Sequence, residues 1–154
     1  MKLWVWVGLK CKNMEKLKMN DIKTIEQLRA KHALNMIGKT ENLGMRNEEL
    51  KLQKEYKSYV ASLPANILQN GFGQAMAMEL SAKGMHKQLY EHIENWLCKA
   101  NDNPNSPYKD VENNNNLITA ITENNQTLYI QAQIEAMAYL EWLKKFAVAY
   151  LKGE

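Results

Sequence analysis

Leu63-Pro64-Ala65-Asn66-Ile67-Leu68-Gln69-Asn70-Gly71-Phe72-Gly73-Gln74-Ala75-Met76-Ala77-Met78-Glu79-Leu80 contains Asn70-Gly71, a dipeptide that ordinarily marks a hairpin turn. A hairpin needs flanks that alternate apolar and polar residues, and these do not. Ile67, Leu68, Phe72, Ala75, Met76 and Leu80 keep helical spacing instead. The segment therefore reads as one helix that contains two glycines, Gly71 and Gly73. Each costs about 1 kcal/mol relative to Ala in a helix interior, which points to a neighbouring helix or backbone packed very close to them. A phosphate-cradling loop is the functional rival, but no strand precedes the glycines and the lysine of such a loop is missing. Ser62 is placed to cap this helix, with Pro64 near its first turn, where a missing N–H costs nothing.

Working outward, residues 47–61 predict a preceding helix, buried through Leu50, Tyr56, Tyr59 and Val60 and wetted by Lys51, Lys54, Glu55 and Lys57. Before that, Ile22, Ile25, Leu28, His32 and Met36 form a helical stripe, with Thr24 and Gln27 as a capping pair and Gly38 as a stop. His32 lies inside the stripe and reads as a hydrogen-bonded core histidine. Lys23, Gln27 and Lys31 fall on a different face, with Arg29 nearer the stripe. Downstream of Gly84, a further helix buries Met85, Leu89, Ile93, Trp96 and Leu97. His86 and His92 are six apart and do not share a helix face, so they predict no metal site. Residues 101–116 hold seven Asn with Pro104 and Pro107 and read as a long polar loop. A short helix follows at 117–122, Asn124-Asn125 breaks it, and the last long helix begins near Thr127.

That last helix has apolar residues on two faces. Leu128, Ala132, Ala136, Tyr139, Leu140, Leu143, Phe146, Ala147 and Tyr150 form the wide stripe expected against a domain core. Ile130, Ile134, Met137 and Val148 lie roughly opposite, interrupted by Glu141 and flanked by Lys144 and Lys145. Such a helix is either central in the fold or presents one side to another subunit.

Composition agrees with this reading. The 154 residues suit one domain, and three prolines and seven glycines leave little turn chemistry for a multi-strand sheet protein. The predicted fold is all-α, a single compact bundle of about five to six helices. No apolar run reaches the roughly 20 residues of a membrane helix. Net charge is +3, but residues 1–60 carry 13 Lys/Arg against 7 Asp/Glu, while residues 61–154 carry 7 against 10. A polyanion partner would thus need a focused cationic stripe rather than a global field. Cys11 and Cys98 make no disulfide framework and fit a reducing cytoplasm. Glu79 and His86 are the nearest approach to hydrolase chemistry, but no nucleophile, base and orienting partner can be assembled around them. No catalytic residue, metal or other cofactor, membrane contact or small-molecule substrate is expected. Residues 1–18, with Leu3-Trp4-Val5-Trp6-Val7 followed by a lysine cluster, read as an extension ahead of a start at Met19, and residues 19–154 as the bundle.

Three segments resemble the small α-helical subunit of the Cmr complex, the type III-B CRISPR RNA-guided effector. They are Glu26-Gln27-Leu28-Arg29-Ala30-Lys31-His32-Ala33, the stretch from Leu63-Pro64-Ala65 to Gln74-Ala75-Met76, and Tyr139-Leu140-Glu141-Trp142-Leu143-Lys144-Lys145-Phe146-Ala147-Val148-Ala149. The resemblance covers roughly residues 19–153 and departs at residues 1–18 and in the Asn-rich loop. It implies a subunit that is not a nuclease, stacks as several copies in a minor filament beside the backbone subunits that hold guide RNA, and helps to form the channel for single-stranded target RNA. Joined to the charge pattern, it makes Lys23, Arg29, Lys31, Lys144 and Lys145 the expected RNA contacts. Asn70, Gly71, Gln74, Ile130, Ile134, Met137 and Val148 are the expected contacts with copies of itself and other subunits. The alternative is a helical adaptor that binds only protein.

Overall fold

A computed structural model of the chain describes residues 22–42, 47–99, 103–112 and 116–152. Thr24 starts the first helix, α1 (Ile25–Glu41), by a reciprocal capping box. Its hydroxyl accepts from the Gln27 amide at 3.2 Å, and the Gln27 side chain accepts from the Thr24 amide at 2.8 Å. Gly38, expected as the stop, lies inside α1, and a Cβ there would meet nothing within 4 Å. The buried face of α1 is Ala33, Met36, Ile37 and Thr40, while Ile22, expected in the stripe, stands exposed before the helix.

The expected boundary at residues 61–62 is absent. One helix, α2 (Asn47–Asn70), runs through Pro64. Pro64 cannot donate to the Val60 carbonyl, a defect of about 3 kcal/mol in an isolated helix interior. Val60, Leu63 and Ile67 around it are buried, and each such side chain contributes about 1.5–3 kcal/mol, so burial on both sides of the proline outweighs the lost bond. The true break comes at Gly71, whose φ of 84° and ψ of 156° lie in a region that only glycine occupies readily. It separates α2 from α3 (Phe72–Ser81). The two glycines thus have different reasons. Gly71 turns the chain, whereas Gly73 makes room: a Cβ there would sit 3.3 Å from Ile121 Cγ2, and its amide donates to the Tyr129 hydroxyl at 3.0 Å.

After Gly84, α4 (Met85–Glu94) buries Met85, Leu89, Tyr90, His92, Ile93 and Glu94, and continues into a π-helical turn, Asn95–Lys99, holding Trp96, Leu97 and Cys98 in the core. The polar loop expected at 101–116 is, over residues 103–112, packed rather than loose. Asn103 and Tyr108 are fully buried. The Asn103 amide donates to the Trp96 carbonyl at 3.0 Å, and Ser106 donates to that of Leu97. These bonds satisfy carbonyls left over where the helix ends. Next comes α5 (Leu117–Glu123), capped by Asn116 and held by Glu94, which accepts from the Leu117 amide at 2.9 Å. The last helix is α6 (Gln126–Tyr150), capped by Asn125. It packs most extensively against α1 and next against α2, while α4 fills the space beside α2 and α3. The result is an all-α bundle of six helices among the described residues. No described helix is long and apolar enough to cross a membrane. The expected extension at residues 1–18 lies outside the described residues.

Replacing the glycines one at a time separates their roles. Gly38→Ala should stabilise the fold by about 0.5–1 kcal/mol, since propensity improves and nothing is displaced. Gly71→Ala should destabilise it by about 1–3 kcal/mol through backbone strain. Urea titrations followed by circular dichroism should move the two midpoints in opposite directions.

Candidate nucleic-acid interface

The α1–α6 pair is joined by a chain of polar contacts. Glu135, buried on α6, accepts from Arg29 Nε and Nη2, both at 2.8 Å, and from Trp96 Nε1 at 2.9 Å. The remaining Arg29 nitrogen donates to Glu26 at 2.9 Å, and the other Glu26 oxygen accepts from Trp142 Nε1 at 2.9 Å. Beside them His32 contacts the Tyr139 hydroxyl through Nδ1 and Asn95 Oδ1 through Nε2, each at 2.7 Å. As Asn95 Oδ1 can only accept, Nε2 carries the proton and the Tyr139 hydroxyl donates to Nδ1. The stacked rings of Trp96 and Tyr139, 5.2 Å apart, close the cluster. The Glu135 hydrogen bond pushes the Arg29 pKa upward, so this guanidinium is permanently charged.

The expected RNA contacts fall into two groups. Arg29 has only 12% of its side chain exposed, and three of its nitrogens are bonded to carboxylates. It holds the fold and offers a phosphate little. Lys23, Lys31, Lys144 and Lys145 are exposed. Lys23 is three residues from Glu26 and Lys145 three from Trp142, and since Glu26 and Trp142 are bonded, both lysines lie at one end of the α1–α6 pair. Lys145 lies over the Trp142 ring, 5.6 Å from its centroid. Lys144, about 100° from Lys145 around α6, flanks the stripe of Ile130, Ile134 and Val148 on the other side. Lys31 lies further along α1.

Of the expected interface residues, Ile134 and Val148 are 64% and 68% exposed, and Ile130 is exposed with them. Met137 packs in part against the core. Asn70 and Gln74 are exposed, and Gly71 between them is half-buried. Among the described residues the second apolar face of α6 is therefore unpartnered, while the first lines the core. Sequence reasoning missed Glu135, Glu26, Trp96 and Asn95. The available signal was Glu135 itself, a carboxylate set between Ala132, Ala136 and Tyr139 on the stripe assigned to the core.

Elsewhere, Glu79 and His86 do come together. The buried carboxylate meets His86 Nδ1 at 2.7 Å, and the imidazole stacks on Tyr59 with centroids 3.5 Å apart. The pair ties α3 to the start of α4. Burial pushes the Cys98 thiol up to about 12, so it is an inert core residue rather than a nucleophile. Among the described residues no group of three His, Cys, Asp or Glu side chains is placed to hold a metal ion.

A family model described as CRISPR-associated protein (Cas_Cmr5) matches residues 25–150, from the first residue of α1 to the last of α6. The chain belongs to the Cas_Cmr5 family. It is accordingly a small structural subunit of the type III-B Cmr complex, and the other Cmr subunits are its partners. The polar chain joining α1 to α6 links the two ends of the Cas_Cmr5 match, bringing together residues over a hundred positions apart in the sequence.

Two stability measurements follow from these buried groups. Glu135→Ala leaves Arg29 without its main partner and should cost about 3–5 kcal/mol, whereas the exposed Glu141→Ala should stay within about 0.5 kcal/mol of wild type in the same urea titration.

The second concerns His92, whose Nδ1 meets the Tyr56 hydroxyl at 2.7 Å. Burial, then repulsion by His32 once that ring is protonated and by Lys39, lower its pKa from 6.5 to about 3. The folded protein keeps the ring neutral where the unfolded chain protonates it, so stability is complete above pH 6.5 and falls as pH drops towards 3. The slope from this group reaches about 1.4 kcal/mol per pH unit. Urea midpoints between pH 7 and 5 should fall for the wild type and fall less steeply for His92→Gln.

Proposed function

We propose that this Cas_Cmr5 subunit is non-catalytic, stacks on neighbouring subunits, including copies of itself, through the aliphatic face of α6, and touches the single-stranded target RNA lying against guide RNA with its exposed lysines. The observation that carries this reading is the division of α6 outside the core: Ile130, Ile134 and Val148 form an exposed aliphatic stripe, and Lys144 and Lys145 stand at its end. An aliphatic stripe suits a protein neighbour, whereas exposed ammonium groups beside it suit phosphates running along the junction. Lys23 extends the charge onto α1, and Lys31 continues it. Arg29 is assigned to the fold rather than to RNA. Asn70 and Gln74, exposed on either side of the Gly71 turn, are assigned to a second subunit contact. The working location is the cytoplasm, where a buried, unpaired Cys98 stays reduced.

Each phosphate neutralised by a lysine makes single-strand binding more salt-sensitive, by about 0.7 log units of affinity per log unit of salt. Replacing Lys144 and Lys145 together by Glu should weaken target-RNA binding by the assembled Cmr complex and flatten its salt dependence, with the circular dichroism of the subunit unchanged. Unaltered affinity and slope would leave the protein-only adaptor as the better reading, and failure to assemble would move the two lysines to the subunit contact. The isolated subunit should not cleave RNA with or without divalent metal.

A further inference from the structure

A cleft between α1 and α4 is lined by none of the lysines assigned to the RNA path. Its volume is about 490 Å³, within the range of small-ligand sites. Met36 of α1 and Met85 of α4 give it apolar lining, and Lys39 and Lys87 stand on it with exposed side chains. Glu91, the carboxylate of the lining, is 4.0 Å from Lys87 in a one-turn pair, so two lysines against one carboxylate leave the cleft with a net charge of +1.

Of the polar side chains lining the cleft, His92 and Asn95 present donors, while Glu91 and the Gln88 oxygen, whose NH₂ group is taken by Thr40, present acceptors. His92 is 95% buried and lines it. The Tyr56 hydroxyl is enclosed in the core, and Nδ1 of His92 is the acceptor within its reach. Its proton therefore goes to Nδ1, which leaves the ring proton on Nε2. Among the described residues this nitrogen has no hydrogen-bond partner, yet it is not one of their enclosed, unpartnered polar atoms, so its surface opens to the cleft. Asn95 has its oxygen occupied by His32 Nε2, and its NH₂ group is the part left for a ligand. At the end of the cleft, Gly84 precedes α4 without a side-chain cap, leaving the first amides of a ten-residue helix unsatisfied by the chain.

We infer that the α1–α4 cleft binds a phosphate-bearing ligand of nucleotide size. The phosphate takes the donors of His92 and Asn95, one turn apart at the end of α4, with Lys39 and Lys87 on the cleft, and the rest of the ligand runs along α4 towards Met85. Glu91 is then placed to accept from ribose hydroxyls. The inference does not rest on the target-RNA path, none of whose lysines lines the cleft. A free nucleotide and the phosphorylated end of an RNA strand present the same chemistry here.

Titration calorimetry on the full chain tests it with uridine monophosphate, uridine and inorganic phosphate as probes. The nucleotide should bind saturably and at least tenfold tighter than uridine, with phosphate competing. Replacing Lys39 and Lys87 by Gln, both exposed and outside the core, should weaken nucleotide binding at least tenfold while the circular dichroism stays the same. A parallel comparison of 5′-phosphorylated and 5′-hydroxyl oligouridylate identifies the source. A phosphorylated strand bound tenfold tighter than the free nucleotide marks the site as one for RNA ends, and equal affinities mark it as one for free nucleotides. Uridine monophosphate bound no tighter than uridine, or bound equally by the Lys39→Gln, Lys87→Gln variant, overturns the inference.

Discussion

A carboxylate taken out of water must be repaid in hydrogen bonds, and Glu135 receives three, two from one guanidinium and one from an indole. The bidentate geometry fixes the distance, the plane and the rotation of α1 relative to α6 more narrowly than apolar contact alone. Trp96 brings the π-helical turn into the same arrangement, so three separate parts of the chain meet on one side chain. The π-helical turn carries Asn95, which meets His32, and the neighbouring Trp96, which meets Glu135, two consecutive residues with partners on two different helices. Apolar burial supplies most of the stabilisation of the bundle, while these directed bonds select which packing of the helices is adopted.

That selection shapes the surface available to the rest of the complex. Since Arg29 is consumed in holding α1 against α6, the cations left outside among the described residues are lysines, point charges that can follow a flexible phosphate chain without a required plane. The core also fixes the rotation of α6. With Ala132, Ala136, Tyr139, Leu140, Leu143 and Ala147 turned inward, Ile130, Ile134 and Val148 must face out. The rigidity of this face is inherited from the Glu135 cluster behind it.

Much of this was legible in the sequence. The capping pair Thr24 and Gln27, the hydrogen-bonded His32, the short helix after residue 116 and the two-sided last helix all rest on local pattern, and local pattern is what a sequence displays. The departures have a common physical cause in tertiary packing. Pro64 reads as a helix start because its defect is intrinsic and local, whereas the burial of Val60, Leu63 and Ile67 that overrides it is not. Gly38 reads as a stop on propensity, yet the helix continues because Thr40 beyond it is buried, with its hydroxyl on the Met36 carbonyl. Asn103 and Tyr108 read as loop by composition, although their depth is set by the helix end they cover. Arg29 reads as a cation for a partner because its own partner lies 106 residues away. The exposed lysines and the outward aliphatic stripe were legible as residue types on a face, while the polar chain that holds those faces in place was not.

The second polar cluster of the core extends the same logic towards binding. Tyr56 is buried deeply enough that its proton has one useful acceptor, His92 Nδ1. Burial also raises the Tyr56 pKa, so the phenol keeps that proton. The tautomer of His92 is therefore dictated from inside the protein, and the N–H that follows from it is presented on the outside, at the α1–α4 cleft. His32 orients Asn95 in the same way, because its Nε2–H claims the amide oxygen and leaves the NH₂ group turned over. Each ring is set by a buried tyrosine, Tyr56 for His92 and Tyr139 for His32. Two independent core contacts thus converge on one cleft with the same polarity. An anion seated there would meet donors that need not reorganise to receive it, the condition under which a modest number of hydrogen bonds gives measurable affinity.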